Sequence, residues 1–249
     1  MQIIYALLIS TIAGLSTMIG CLFIYFKPQN THYFIGASLA FSASIMLLIS
    51  ITELVPEGFI YLTNKYSIFL AIFSLLGLLL LGNMISTRLN TIISKYQAIN
   101  SNLYRVGVLS MLALMIHNLP EGILTFLSSV VDLKLGLKLS FAIMMHNIPE
   151  GIAIAVPIYY ATKRRVQALW STFISGLSEP LGAVLAWIFL SKYINGTLMS
   201  LILLFTAGLM ISVAINDIFM EANKYSRKSI LVGVLFAVVL FIINSLVFI

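Results

Sequence analysis

The sequence is poor in charge. Only 9% of its 249 residues are Asp, Glu, Lys or Arg, whereas 61% are hydrophobic, and the mean hydropathy is +1.08. A soluble domain carries about 25% charged residues. The composition therefore excludes a soluble globular protein and indicates an integral membrane protein.

Other features that would define common protein classes are also missing. Cys21 is the one cysteine, which excludes an intrachain disulfide. No ATP-binding motif occurs, which argues against direct pumping by this chain, and no HExxH motif occurs, which argues against an intramembrane metalloprotease. The longest polar stretch, residues 86–102, is too short for a soluble domain and is interpreted as a connector.

Eight apolar runs are long enough to span a bilayer, which takes about 20 residues. They predict an all-α, polytopic membrane protein with one transmembrane domain over residues 1–249. The first run has no basic flank, so it is interpreted as a retained helix and not as a signal peptide. The predicted helices cover residues 3–26, 33–62, 67–85, 103–131, 135–160, 166–190, 198–220 and 229–249.

The basic residues predict the orientation. Ten of the 14 fall in the odd-numbered predicted loops and four in the even-numbered ones. By the positive-inside rule the odd loops are cytoplasmic, and with eight spans both termini then face outside. This bias accounts for the net charge of +6 without a nucleic-acid partner, so the lipid bilayer is the expected surrounding.

The acidic residues follow a different pattern. Seven of the eight lie within or at the ends of predicted spans, where an ionisable group is costly unless it faces a partner or water. Proline breaks a helix by removing a hydrogen bond, and at membrane depth such breaks occur where the backbone is buried in protein or lines a cavity. Four acids adjoin a proline, which favours a cation pathway over simple kinked packing: Glu57, Glu121, Glu150 and Glu179.

One hexapeptide pattern, HNxPEG, occurs twice, at residues 117–122 and 146–151. On a helix, its histidine, asparagine and glutamate share one face, so two adjacent antiparallel helices would bring two imidazoles, two amides and two carboxylates together. This mixture favours a divalent first-row metal over calcium, and it lacks the thiolates of a tight structural zinc site. The candidate ligands are His117, Asn118, Glu121, His146, Asn147 and Glu150.

The HNxPEG pair, on the fourth and fifth predicted spans, resembles the ZIP (Zrt-, Irt-like) family of divalent metal transporters, most closely its bacterial ZupT-like branch. Supporting stretches are AGLSTMIG, ELVPEG, SGLSEPLGA and AGLMISVAINDIFMEA. The resemblance implies a plasma-membrane (bacterial inner-membrane) transporter that is not an enzyme. It would import Zn²⁺, and also Fe²⁺, Mn²⁺, Co²⁺ or Cd²⁺, as substrate and not as a catalytic cofactor.

The resemblance also implies a two-metal centre at the bilayer midplane, with Glu121 and Glu150 bridging the two ions. Carried over by position, the ligands are His117, Glu121, His146 and Glu150 for one metal, and Asn118, Glu121, Asn147, Glu150 and Glu179 for the other. The chain departs from many relatives in two places. Residues 86–102 contain no histidine, and span seven reads FMEA where relatives tend to carry a proline before the glutamate.

Acids four residues apart recur in spans two and seven, as Glu53 with Glu57 and Asp217 with Glu221. These spans are equivalent in an inverted 3+2+3 arrangement around spans four and five, and inverted repeats are a recurrent plan of secondary transporters. The four acids are therefore predicted to line an entry or exit path. The alternative is that they lie at helix ends, in headgroup water.

Alternatives to a transporter use the same side chains. A metal-selective channel with these ligands stays open, because sequence does not reveal whether passage needs alternating access. A bis-histidine haem protein is disfavoured, because a glutamate one turn from each histidine would put negative charge against an apolar macrocycle. A homodimer is left open as well.

Overall fold

The computed structural model describes residues 2–96, 102–190 and 195–248. Within these ranges the chain is helical almost throughout and contains no β-strand. Eight helices follow one another along the described chain. They are α1 (Gln2–Tyr25), α2 (Thr31–Lys65), α3 (Ile68–Tyr96), α4 (Asn102–Val131), α5 (Leu133–Thr162), α6 (Arg165–Phe189), α7 (Gly196–Ala222) and α8 (Arg227–Phe248).

The lengths and the surfaces of these helices are those of a membrane protein. Helices α1 to α7 are long and apolar enough to cross a bilayer, and α8 has 22 residues, which is about 33 Å of helix. Large apolar side chains such as Leu8, Phe69 and Phe236 face outward, where lipid tails accept them and water would not. The prediction of an all-α, polytopic membrane protein is confirmed.

The third helix differs most from its predicted span. It continues to Tyr96, past the predicted end at residue 85. The segment 86–96 is polar but has no glycine or proline, so nothing in it interrupts a helix that has already begun. Part of the predicted connector is therefore helical, and residues 97–101 lie outside the described residues. The other helices begin and end within a few residues of their predicted spans.

The prolines of the two hexapeptides do not break their helices. Helices α4 and α5 stay helical through Pro120 and Pro149, although each proline lacks the N–H that would bond to the carbonyl four residues earlier. An interruption occurs in α6 instead, where Leu177 lies between the segments Arg165–Gly176 and Ser178–Leu185. This interruption thus lies two residues before the predicted ligand Glu179 and not at the hexapeptides.

Helices α4 and α5 pack against each other, with α1 and α6 beside them. Two glycines allow these four helices to pack with their backbones close together. A Cβ on Gly122 would overlap the carbonyl oxygen of Glu179 on α6, and a Cβ on Gly151 would overlap the carbonyl oxygen of Thr17 on α1. The final residue of each hexapeptide therefore lets a neighbouring backbone approach closely.

Among the remaining helices, α2 packs against both α7 and α8, α3 packs against α7, and α2 also contacts α5. Helices α2, α6 and α7 each contain a π-helical segment, Ser50–Leu54, Ala186–Leu190 and Ala214–Phe219. Glu53 lies in the segment of α2 and Asp217 in that of α7. Such π segments are rare and are frequent at functional sites, so both of these acids lie where the regular helix is perturbed.

Candidate metal centre

The hexapeptide side chains point into the bundle. Each set shares one helix face, as the helical spacing predicts, and α4 and α5 turn those faces toward each other. All six predicted ligands of this pair are buried: His117, Asn118 and Glu121 on α4, and His146, Asn147 and Glu150 on α5. The central helix pair therefore brings together the groups that the sequence predicts.

Glu121 lies between the two histidines. Its Oε1 is 3.0 Å from His117 Nε2 and 2.9 Å from His146 Nε2. Glu150 Oε1 lies 3.4 Å from His117 Nε2. One ligand atom from each of His117, Glu121 and His146 lies within 4.8 Å of the other two. Because zinc–ligand bonds to nitrogen and oxygen are about 2 Å long, this spacing is close to what a single ion requires.

Asn147 connects α5 to α1 and α6. Its Nδ2 donates to the carbonyl oxygen of Ala13, at 2.9 Å, and to Oε1 of Glu179. Two acceptors for one nitrogen fix the orientation of the amide and leave its Oδ1 free. Glu179 is 0% exposed and lies in the first turn after the interruption at Leu177. The predicted ligand from the sixth span thus lies beside the hexapeptide of α5.

Asn118 lies beside Glu150. When the Asn118 Nδ2 faces the carbonyl oxygen of Leu114 and Glu150 Oε2, it donates to both, at 2.7 Å and 3.3 Å respectively. A half-turn of the amide exchanges nitrogen and oxygen and puts Oδ1 beside the carboxylate oxygen. Two facing oxygens are an arrangement that a shared cation would stabilise.

Oxygen acceptors outnumber donors at this centre. Among the described residues, four of its buried oxygens have no hydrogen-bond partner: Glu121 Oε2, Asn147 Oδ1, Glu150 Oε1 and Glu179 Oε2. A buried acceptor without a partner costs about 1–3 kcal/mol, and a charged one more. The described ion-pair partners of Glu121 and Glu150 are histidines. A divalent cation would compensate both the unpaired oxygens and the negative charge, and imidazole with carboxylate suits first-row metals.

A cavity of about 50 Å³ adjoins the centre. His117, Glu121 and His146 line it, together with Glu53 and Glu57 of α2. Glu53 and Glu57 are exposed, and an exposed carboxylate in a membrane span is stable only against water or a partner. Of the four acids predicted to line a path, these two share a cavity with the centre.

Asp217 and Glu221 of α7 have partners of their own. Asp217 Oδ1 accepts a hydrogen bond from Asn90 Nδ2 on α3, at 2.7 Å, and Glu221 Oε2 is 2.5 Å from Lys224 Nζ, just past the end of α7. Burial and the negative charge of Glu221 raise the pKa of the neighbouring Tyr225 to about 12. Within the described chain, neither acid lines the cavity.

Three residues at these sites were not predicted from sequence: Asn90, Lys224 and Thr206, the last of which also lines the cavity. A lysine in a connection is explained by the positive-inside rule alone. A single asparagine or threonine in a helix gives no periodic or motif signal, so nothing in the sequence distinguishes these two from packing residues.

The whole chain has known counterparts. A family model described as ZIP zinc transporter matches residues 93–244. The zinc transporter ZupT of Streptococcus mutans is 33% identical over 98% of this chain and 97% of its own length. The chain belongs to the ZIP zinc transporter family. The zinc transporter ZupT of Escherichia coli is 37% identical over 88% of the chain and 86% of its own length. The zinc transporter ZupT of Chlorobium luteolum is 31% identical over 93% of this chain and 93% of its own length.

Membership of the ZIP family confirms the resemblance derived from the hexapeptides. ZIP family proteins are transporters, so the protein is not an enzyme. The matched segment of this ZIP protein includes all seven candidate ligands, from His117 to Glu179. It also includes Asp217 and Glu221, whereas Glu53 and Glu57 lie before it and are covered by the full-length relatives.

Proposed function

We propose that this ZIP protein is a secondary transporter that imports divalent transition-metal ions toward the cytoplasm. Zn²⁺ is the principal substrate, and Fe²⁺, Mn²⁺, Co²⁺ and Cd²⁺ compete with it. One observation carries the proposal: ligand atoms of His117, Glu121 and His146 lie within 4.8 Å of one another inside the bundle. The name zinc transporter borne by its relatives supports Zn²⁺ as the principal substrate.

The proposed centre holds two ions bridged by Glu121 and Glu150. The two oxygens of each carboxylate have different surroundings, which supports bridging. Glu121 Oε1 contacts both histidines while its Oε2 has no described partner. Glu150 Oε1 is near His117, whereas its Oε2 is near Asn118. One ion would bind on the histidine side, and the second would bind on the side of the amides and Glu179.

The proposed topology is an inverted 3+2+3 arrangement in the plasma membrane with both termini outside. The matching π-helical segments of α2 and α7 support the inverted repeat. In this orientation Glu53 and Glu57 lie toward the outside, where the cavity would admit the ion. Asp217 and Glu221 lie toward the cytoplasm, beside the basic residue Lys224.

The proposed ligand shell also predicts which ions are rejected. Imidazole, amide and carboxylate groups offer no soft sulfur for Cu⁺, and two imidazoles are poor ligands for Mg²⁺ and Ca²⁺. Cys21 offers no alternative, because it is buried with its Sγ directed at the carbonyl oxygen of Ala168. Millimolar Mg²⁺ should therefore leave zinc uptake unchanged.

Radiolabelled zinc uptake into proteoliposomes tests the proposal. Glu121→Gln and Glu150→Gln keep the side-chain shape but remove the charge, and each should lower uptake by about 100-fold or more. The matched control is Asp132→Asn, at the N-cap of α5, because asparagine caps a helix as well as aspartate does. Uptake by both glutamine variants at the wild-type rate would eliminate this centre as the transport site.

The dependence of the wild-type uptake rate on zinc concentration distinguishes a carrier from a channel. A rate that saturates with zinc concentration supports a carrier, whereas one that stays linear supports a channel.

A further inference from the structure

The hydroxyl of Thr206, on α7, is a buried polar group without a hydrogen-bond partner among the described residues. Thr206 is 2% exposed. It lines the cavity that Glu53 and Glu57 share with the histidines of the centre.

An unpaired threonine hydroxyl is unusual inside a helix, because the side chain can reach the carbonyl oxygen three or four residues earlier. Thr11 Oγ1 donates to Leu7 at 2.7 Å in this way, and Thr172 Oγ1 donates to Ala168 at 3.0 Å. Thr206 and Thr125 of α4 do not use this option, and of these two only Thr206 lines the cavity. Burying a hydroxyl without a partner is unfavourable, so a ligand that enters the cavity would be its natural partner.

The surroundings of Thr206 narrow the kind of ligand. Apart from Thr206 and its charged groups, the cavity is lined by apolar side chains, Leu203, Leu124 and Ile143 among them. The charged groups that share the cavity are the carboxylates of α2 and the histidine–glutamate group of the centre. The carboxylates of α2 and the Thr206 hydroxyl are oxygen ligands, which suit a divalent cation that still carries part of its water shell.

We propose that Thr206, with Glu53 and Glu57, forms an outer binding station that the ion occupies before it reaches the histidines. This inference rests on the proposed import function and adds a substrate-binding residue to it. The two carboxylates attract the cation, and the Thr206 hydroxyl replaces one of its water molecules. A neutral oxygen binds a cation less tightly than a carboxylate would, so the station assists loading without retaining the ion.

The test compares Thr206→Val with wild type in initial-rate zinc uptake into proteoliposomes. Valine keeps the branched shape and removes only the hydroxyl. We expect KM for zinc to rise by about five- to tenfold, the effect of losing one polar contact, with the maximal rate within about twofold of wild type. Thr206→Ser restores the hydroxyl and should return KM toward the wild-type value.

Thr172→Val is the matched control, because it removes an equally buried hydroxyl that already has a partner outside the cavity. If Thr206 binds no ion, neither valine variant changes KM. Thr206→Val should then keep or raise thermal stability, because it removes an unpaired buried hydroxyl, whereas Thr172→Val should lower it by removing a hydrogen bond. An unchanged KM for Thr206→Val overturns the inference, and so does a Thr206→Ser variant with the same KM as Thr206→Val. If Thr206→Val is not recovered as folded protein, Thr206→Ala provides the same comparison without added bulk.

The outcomes separate this inference from the function on which it rests. If the wild-type protein takes up no divalent metal, the proposed function fails. If wild type transports zinc and Glu121→Gln does not, but KM is unaffected by Thr206→Val, the outer station alone is refuted.

Discussion

Replacing Gly122 by alanine should disable transport without removing any metal ligand. The added Cβ would lie 2.6 Å from the carbonyl carbon of Glu179 and would overlap its carbonyl oxygen. Carbon atoms in contact are about 3.5–4.0 Å apart, so α6 would have to move away from α4 by about 1 Å. The atoms that clash belong to the backbone, so no change of rotamer can relieve the contact.

A movement of this size matters more for transport than for folding. Overpacking of this kind costs about 1–3 kcal/mol, which a folded helix bundle can tolerate at a lower melting temperature. Metal ligands, however, must lie within about 0.2 Å of their proper distances, and a misplacement of about 1 Å can cost about 100-fold in rate. Glu179 would move with α6, so we expect zinc uptake to fall by about that factor.

The assay is initial zinc uptake into proteoliposomes, with thermal unfolding of the purified protein in detergent as the measure of folding. Gly77→Ala on α3 is the control, because a Cβ there meets nothing within 4 Å and alanine is the better helix former. It should transport normally with an equal or higher melting temperature. Normal uptake by Gly122→Ala would mean that the close contact of α4 with α6 does not position Glu179, and the reasoning would be refuted.

Replacing His117 and His146 together by aspartate should move metal preference from Zn²⁺ toward Mn²⁺, because carboxylate is a harder ligand than imidazole. Competition uptake at one pH measures this, and an unchanged zinc-to-manganese ratio would limit the histidines to orienting Glu121. Tyr225→Phe should reduce the loss of thermal stability at alkaline pH. Folding raises the pKa of Tyr225 from 10.0 to about 12, so the unfolded chain loses the proton first and stability falls as pH rises between those values. Identical alkaline melting curves for the two proteins would contradict this.

The central helix pair could be predicted because the relevant information is local. The spacing of His117, Asn118 and Glu121 sets a shared face wherever the segment is helical, and the repeat at His146 supplies a second face. Burial of all six side chains follows once the two faces meet. The number and character of the helices could likewise be predicted, because a bilayer demands about 20 apolar residues for each span.

Other features depend on tertiary contacts, and no local pattern encodes them. The adjoining proline drew attention to Glu179, but its place in the ligand set came only from the resemblance. Its hydrogen bond with Asn147 depends on the packing of α5 against α6. The hexapeptide prolines indicated local breaks, yet α4 and α5 stay helical through them. Thr206 gave no signal at all, because its significance comes from a missing hydrogen bond and a shared cavity.

The backbone contacts at Gly122 and Gly151 also affect how mutational data on this protein should be interpreted. Every substitution at these positions adds at least a Cβ, so each should be tolerated as poorly as a lost ligand, although a glycine offers no side chain to an ion. In a mutational scan scored by survival on low zinc, ligands and glycines of the hexapeptides would therefore form one class. Only a scan scored by the identity of the accumulated metal would separate them, because a changed ligand alters preference whereas a displaced backbone lowers uptake of every ion alike.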